Sequence, residues 1–382
     1  MADISFSIPA QIRFGLDVVN RIGTIISEYG ERVLLVTESI LYEGKVIERI
    51  QGLLEKRGVQ YIIFDEVVPN ATSSVIDEGV TLARGAHAEV VIGLGGMRTL
   101  SMAKCIAMTA PESGGIDDFL SGVRPKNKPL AYIEIPTTCR NPFMLVDEYL
   151  VTDSKDRVAR IGQSQKNITR AVIVDPKLTV TLPGKYAATT IIDTLLAAVE
   201  GYISNRSNYL SDTFLAGAIE LIGKTVKQAV EQPEDIRARI NTSMAGVLTA
   251  LGLTMSKQGI GAALAYAING RFMVPKSWLS SILLPHVMEY NINSSAEKLA
   301  RIGALMGEET EAESSVEKAA GGIEVMRRLI GSLGLPVRLR DCDLELDDMI
   351  DIVATARSYD MMNYLPRTIS TEDLYELVKI AY

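Results

Sequence analysis

Histidine and cysteine are scarce in this chain: two of the first and three of the second among 382 residues. Cys105, Cys139 and Cys342 are odd in number, widely spaced and free of any CxxC pair, so no disulfide framework is expected. Free thiols suit a reducing compartment. No stretch reaches the roughly 18 uninterrupted apolar residues of a membrane span. The N-terminal segment lacks a basic run followed by an apolar core, so no secretory signal is expected either. Positive charge is also in short supply. The 39 Lys and Arg against 47 Asp and Glu give a net charge of −8, which argues against a nucleic-acid surface and makes no case for a membrane one. No internal repeat, low-complexity tract or long linker interrupts the chain. The expectation is a cytoplasmic protein whose partner is a small molecule, with a homo-oligomer left open.

What is present is ordinary globular material, 47% hydrophobic and 23% charged. The length exceeds what one core usually organises, so two domains are expected. The first half alternates short β-branched runs (33–37, 61–64, 90–93, 132–135 and 171–174) with helically spaced apolar residues at 46–56 and 75–86. Apolar, non-alternating strands separated by helices predict a parallel sheet covered on both faces, a doubly wound, Rossmann-like α/β domain over 1–182. Past Asp175-Pro176 the strand signal fades. Segments 193–202, 213–228, 236–251 and 346–356 read as helices, and hydroxyl-then-acid starts fall at Ser294-Ser295-Ala296-Glu297 and Ser370-Thr371-Glu372-Asp373. An all-helical domain is therefore expected over 183–382. In such two-part chains the cleft between halves is the usual place for function.

Gly93-Leu94-Gly95-Gly96 follows the run at 90–92 and opens a helix containing Ala103 and Lys104. Glycines at such a junction let backbone amides approach a pyrophosphate at a helix N-terminus; without a ligand the same residues make a plain tight turn. Glu38 follows the run ending Val36-Thr37, where an acid meets a ribose hydroxyl or simply faces solvent. Pro69-Asn70 and Pro136-Thr137-Thr138 also follow strands. All lie at carboxyl ends, where open sheets bind ligands, and together they point to a ligand site.

In this order and at this spacing, these landmarks resemble the iron-containing (group III) alcohol dehydrogenases. The likeness runs from residues 6–14 through Leu34-Leu35-Val36-Thr37, Pro69-Asn70, Gly93 to Gly96 and Ile135-Pro136-Thr137-Thr138. It continues through Asp175-Pro176-Lys177-Leu178, the helix from Asp193, Ile282-Leu283-Leu284-Pro285-His286-Val287-Met288, Tyr359-Asp360 and Pro366-Arg367. The resemblance implies the dehydroquinate synthase-like architecture and an NAD(P)-dependent oxidoreductase of small alcohols and aldehydes. It implies a dinucleotide held by Glu38, Asn70, Gly95, Gly96, Thr137 and Thr138, with the acid at 38 favouring NAD over NADP; Arg98, where the turn departs from the family, is a further candidate as a cationic partner for its phosphate.

The family's metal rests on one Asp and three His. Here Asp193 matches the Asp, but Ala197, Ala262 and Lys276 stand at the histidine positions, and Tyr266 replaces a further catalytic histidine. His87 and His286 lie outside these motifs. A carboxylate with two alanines and an ammonium lacks the three or four donors that iron or zinc requires, so no metal is expected. The cofactor loops differ too. Met97-Arg98 follows the glycine pair, Ser101 replaces an acid, and Cys139-Arg140-Asn141-Pro142-Phe143-Met144 replaces a glycine-rich loop ending in Ser-Glu. Three readings follow. Lys276 pairs with Asp193 in place of the cation and lowers the pKa of Tyr266, which then protonates a carbonyl; or the chain is a non-catalytic, regulatory binding relative in which that pair is structural; or it is a metal-free enzyme on an anionic substrate using Arg98, Arg140 and Lys276. Cys139, near two arginines but without a histidine base, reads either as a nucleophile or as a small buried thiol.

Overall fold

The computed structural model describes residues 4–67, 72–180, 183–308 and 312–382. They form two compact units, one within 7–181 and one within 182–382 that also takes in residues 4–6.

The first unit is built on a six-stranded sheet. Its strands are β1 (Gln11–Phe14), β2 (Arg32–Val36), β3 (Gln60–Phe64), β4 (Val90–Gly95), β5 (Ala131–Pro136) and, after a hairpin, β8 (Thr169–Val174). The order is β1-β8-β5-β4-β2-β3 and every pairing is parallel. Side chains alternate across the pleat, and both sets are apolar. Val33, Leu35, Val90, Ile92 and Ile133 join a core with helices α1 (Ile22–Ile26) and α2 (Val46–Glu55). On the opposite face Leu34, Val36, Val91 and Tyr132 join one with α3 (Ser73–Gly85) and α4 (Met97–Thr109). Burial on both faces explains why these strands read as continuous apolar runs. From β2 the chain moves outward to β3 and returns to β4 on the other side of β2. The carboxyl ends of β2 and β4 therefore flank a topological switch point, the place where open α/β sheets bind ligands.

Three strands lie outside the sequence expectation. β1 carries Gln and Arg, is only partly buried and sits at the sheet edge. β6 (Glu148–Thr152) and β7 (Ala159–Gln163) form a separate antiparallel hairpin. A short helix α5 (Ile116–Leu120) precedes β5.

The second unit is helical: α6 (Gly184–Ile203), α7 (Tyr209–Glu231), α8 (Ile236–Leu253), α9 (Ile260–Phe272), α10 (Lys276–Tyr290), α11 (Ala296–Leu305), α12 (Ser315–Ser332), α13 (Met349–Ser358) and α14 (Thr371–Ala381). From Ala187 to Gly201 every residue of α6 is buried, as is α9 from Ile260 to Gly270, so these two are the interior of the unit. Side-chain caps start the outer helices: Asn208 on α7, Asp235 on α8, and Ser314 with Glu317 as a capping box on α12. Ser370 caps α14 by accepting from the Asp373 amide at 3.0 Å, as its sequence suggests. Ser295 sits at the N-cap of α11 but makes no side-chain cap bond. Among the described residues no helix is long and apolar enough to cross a membrane.

Helices α11 and α12 meet at glycine. A Cβ on Gly303 would lie 2.9 Å from the Gly322 Cα, so the backbones touch where any side chain forces them apart. Gly303→Ala is expected to destabilise the chain by about 1–3 kcal/mol through overpacking. Urea denaturation followed by circular dichroism measures this, and an unchanged midpoint contradicts it.

Candidate active site

In the helical unit, Asp193 lies on the buried face of α6 and Ala197 is one turn further along the same face. Pro275 precedes α10, which begins at Lys276. The Lys276 ammonium donates to Asp193 Oδ1, and Ser280, one turn along α10, donates to the same oxygen at 2.6 Å. The pair is dry: the Lys276 side chain is 2% exposed and that of Asp193 0%. Removing one partner of such a pair leaves a charge uncompensated inside the protein.

Tyr266 comes from α9. The Lys276 ammonium lies 4.8 Å from its ring centroid, over the ring face, in a cation–π arrangement. The tyrosine hydroxyl bonds with Gln258, the nearer contact being Nε2 to Oη at 3.2 Å. Lys276, Asp193 and Tyr266 thus converge as expected from the alignment of motifs. The hydroxyl also engages Gln258, which the sequence reading did not include. Glu200 fixes the start of α9, accepting from the amides of Gly259 (2.9 Å), Gly261 (2.6 Å) and Ala262 (3.1 Å). Burial raises its pKa, while those three amides pull the other way.

These donors do not fit a divalent metal. Ala197 and Ala262 offer no ligand atoms, and the carboxylate is engaged by an ammonium and a hydroxyl. Iron and zinc require three or four N, O or S donors. Among the described residues no cluster of three His, Cys, Asp or Glu suits a metal. His286, half-buried on α10, sits 3.7 Å from the Glu289 carboxylate, and burial lowers its pKa.

The α/β unit carries the second group of residues at the switch point. Gly95 has φ +155°, a conformation that strains any residue with a Cβ, and an added Cβ would collide with the Glu38 carboxylate. Glu38 reaches across from the end of β2 and accepts the Gly96 amide proton with Oε1. Thr137 follows β5, and its amide donates to Gly95 O at 3.0 Å. The Thr138 hydroxyl faces Arg140 O at 3.4 Å, and Arg98 is the second residue of α4. Asn70 lies outside the described residues. The N-terminus of α4 has no side-chain cap, and the buried hydroxyls of Thr37 and Thr99 have no hydrogen-bond partner. A helix N-terminus without a side-chain cap suits an anion, and unpaired buried hydroxyls suit a polar ligand. This cradle fits a dinucleotide. Cys139, Phe143 and Met144 are all buried in the segment after Thr138.

Two further buried groups escaped sequence reasoning. Lys104 on α4 donates to the carbonyls of Phe143 (2.7 Å), Val146 (2.9 Å) and Glu148 (3.1 Å). Glu134 on β5 accepts from Asn141 Nδ2 and sits 3.2 Å from the Tyr132 hydroxyl. A lone acid inside the apolar strand Tyr132-Ile133-Glu134-Ile135 was the available signal.

An open, doubly wound sheet with a glycine turn at its switch point, joined in sequence to a helical unit, is an architecture of the dinucleotide-binding type. The chain belongs to the iron-containing alcohol dehydrogenase family: residues 9–176 match the profile described as Iron-containing alcohol dehydrogenase, and 187–382 that described as Fe-containing alcohol dehydrogenase family, C-terminal. It is 28% identical to the 1,3-propanediol dehydrogenase of Citrobacter freundii over 92% of each chain, and 25% identical to the NAD-dependent methanol dehydrogenase of Bacillus methanolicus over 99% of each. A solved 1,3-propanediol oxidoreductase superposes with a TM-score of 0.94 at 25% identity, covering 100% of both chains.

Burial raises the Glu134 carboxyl to about 7, against the opposing pull of Lys104, Asn141 and Tyr132. An acid whose folded pKa exceeds its ordinary 4.5 stabilises the fold relatively more below that value, and the advantage is lost as pH rises to about 7. Glu134→Gln, which carries no titration, is therefore expected to gain about 3 kcal/mol on the wild type between pH 4.5 and pH 8. Melting curves across that range measure the difference, and a pH-independent offset contradicts it.

Proposed function

We propose that this chain is a nicotinamide-dependent oxidoreductase of small alcohols and aldehydes that works without a divalent metal. The observation that carries the reading is the Lys276 ammonium bound to Asp193, a resident cation at positions where the family carries metal ligands. Support also comes from the cradle at the switch point and from the names of the relatives, one of them NAD-dependent.

In this reading Gly95, Gly96 and the first amides of α4 hold the pyrophosphate, Glu38 takes the adenosine ribose, and Thr137 and Thr138 meet the far half. Reduced nicotinamide supplies a hydride when bound. Glu38 disfavours NADP, since its carboxylate repels a 2′-phosphate. Lys276 donates to the substrate oxygen as negative charge grows there, its own charge held in place by Asp193 and Ser280. An ammonium in a dry site acts on developing charge far more strongly than one in water. Tyr266, fixed by Gln258, is the proton donor.

Chelator-treated protein is the right material for the test. NADH is expected to raise its melting temperature and NADPH to raise it less, and an aldehyde panel is expected to oxidise NADH with no added metal. Lys276→Met is expected to cut turnover by about 10²–10³ while NADH binding persists. Asp193→Asn/Lys276→Met, which leaves no lone charge, separates lost folding from lost chemistry. Stoichiometric iron or zinc in the native protein, or silence toward both nucleotides, overturns the proposal. Full turnover in a folded Lys276→Met variant makes the ion pair structural.

A further inference from the structure

The sheet order sets the direction in which an extended dinucleotide runs. The acid after β2 marks the adenosine ribose, the turn after β4 marks the pyrophosphate, and the next strand outward is β5. Strands lie about 4.8 Å apart, so the remaining half of the ligand reaches residues 137–147, which follow β5. This segment contains no helix or strand. Its course is set by two buried side chains.

Lys104 holds it from α4, the helix that carries the phosphate turn. Its three carbonyl acceptors use all three protons of an ammonium. Burial draws the Lys104 pKa down, with Glu134 first among the groups that oppose this. A neutral amine has only two protons and leaves one carbonyl without a donor, so the geometry is that of the charged form. Glu134 holds the same segment from β5. Asn141 donates to its Oε1, and Asn141 Oδ1 in turn accepts the Phe143 amide at 3.0 Å. Glu134 and Asn141 are 0% and 5% exposed, so no water substitutes for either bond. One carboxyl thereby fixes both an amide side chain and, through it, the backbone turn at 141–143.

We propose that Glu134 is a positioning residue for the nicotinamide half of a bound dinucleotide, acting through Asn141 on the backbone of residues 141–143. This rests on the NAD(H) reading above. Gln at 134 retains the acceptor for Asn141 and offers an N–H to the Tyr132 oxygen, so it preserves the arrangement. Leu fills the space and removes the acceptor.

Titration calorimetry on the full chain with NADH, and with ADP-ribose as the fragment lacking nicotinamide, tests the assignment. Glu134→Leu and Asn141→Ala are each expected to lose about tenfold in NADH affinity, the scale of one buried hydrogen bond, with ADP-ribose affinity unchanged. Glu134→Gln is expected to bind both ligands as the wild type does. Equal losses for both ligands, or no loss for either, overturn the positioning role and leave the NAD(H) reading intact. A wild type that binds neither ligand removes that reading and this inference with it. Should Glu134→Leu fail to fold, Asn141→Ala, which leaves β5 untouched, decides the matter.

Discussion

A lysine ammonium and an aspartate carboxylate, joined where almost no water reaches, set the terms for the helical unit. Two charges at that depth are tolerated only together. Their union requires α6 to present Asp193 inward and α10 to start at Lys276, so that the ammonium and the Ser280 hydroxyl meet one oxygen. Helix α9 is bound to the same arrangement through the Tyr266 ring beneath the ammonium and through Glu200, which closes its first turn. Each element brings a polar group inside and has it satisfied by a neighbour, which specifies the packing more narrowly than apolar contact does.

The α/β unit solves a similar problem by different means. Lys104 and Glu134 are as deeply buried as the ion pair, yet they are not bonded to each other in the way Lys276 and Asp193 are. Lys104 spends its protons on main-chain carbonyls, and Glu134 faces an amide and a phenol. The segment after β5 is therefore ordered by side chains instead of by a ladder of its own. Small, flexible residues are not needed there, which explains how Pro142, Phe143 and Met144 are accommodated. This segment and the helical centre share one character: in each, a buried lysine and a buried acid are held by named partners.

How much of this was legible beforehand followed physical range. The central strands declared themselves because burial on two faces makes a sequence continuously apolar; β1, partly exposed at the sheet edge, and the β6–β7 hairpin, which stands outside the parallel sheet, did not. The family resemblance, by matching Asp193, Tyr266 and Lys276 to positions of one site, implied that they meet. What spacing does not carry is which way a side chain turns. Gln258 bonds with the Tyr266 hydroxyl, and Glu38 bends to an amide 58 residues away. Lys104 and the carbonyls it binds are separated by 39 to 44 residues, beyond any periodic signal.

The carboxylate of Glu38 on the Gly96 amide gives the glycine turn an occupied resting state. The α4 terminus does not wait as a bare positive pole, since a fixed anion already answers part of its field. On the NAD(H) reading proposed above, a pyrophosphate enters here by exchange, one negative group taking over from another that then turns to the ribose. Selection at this turn consequently depends on what the newcomer offers Glu38 in return. A ligand with hydroxyls beside its phosphate gives the displaced carboxylate new partners; a simple anion gives it none.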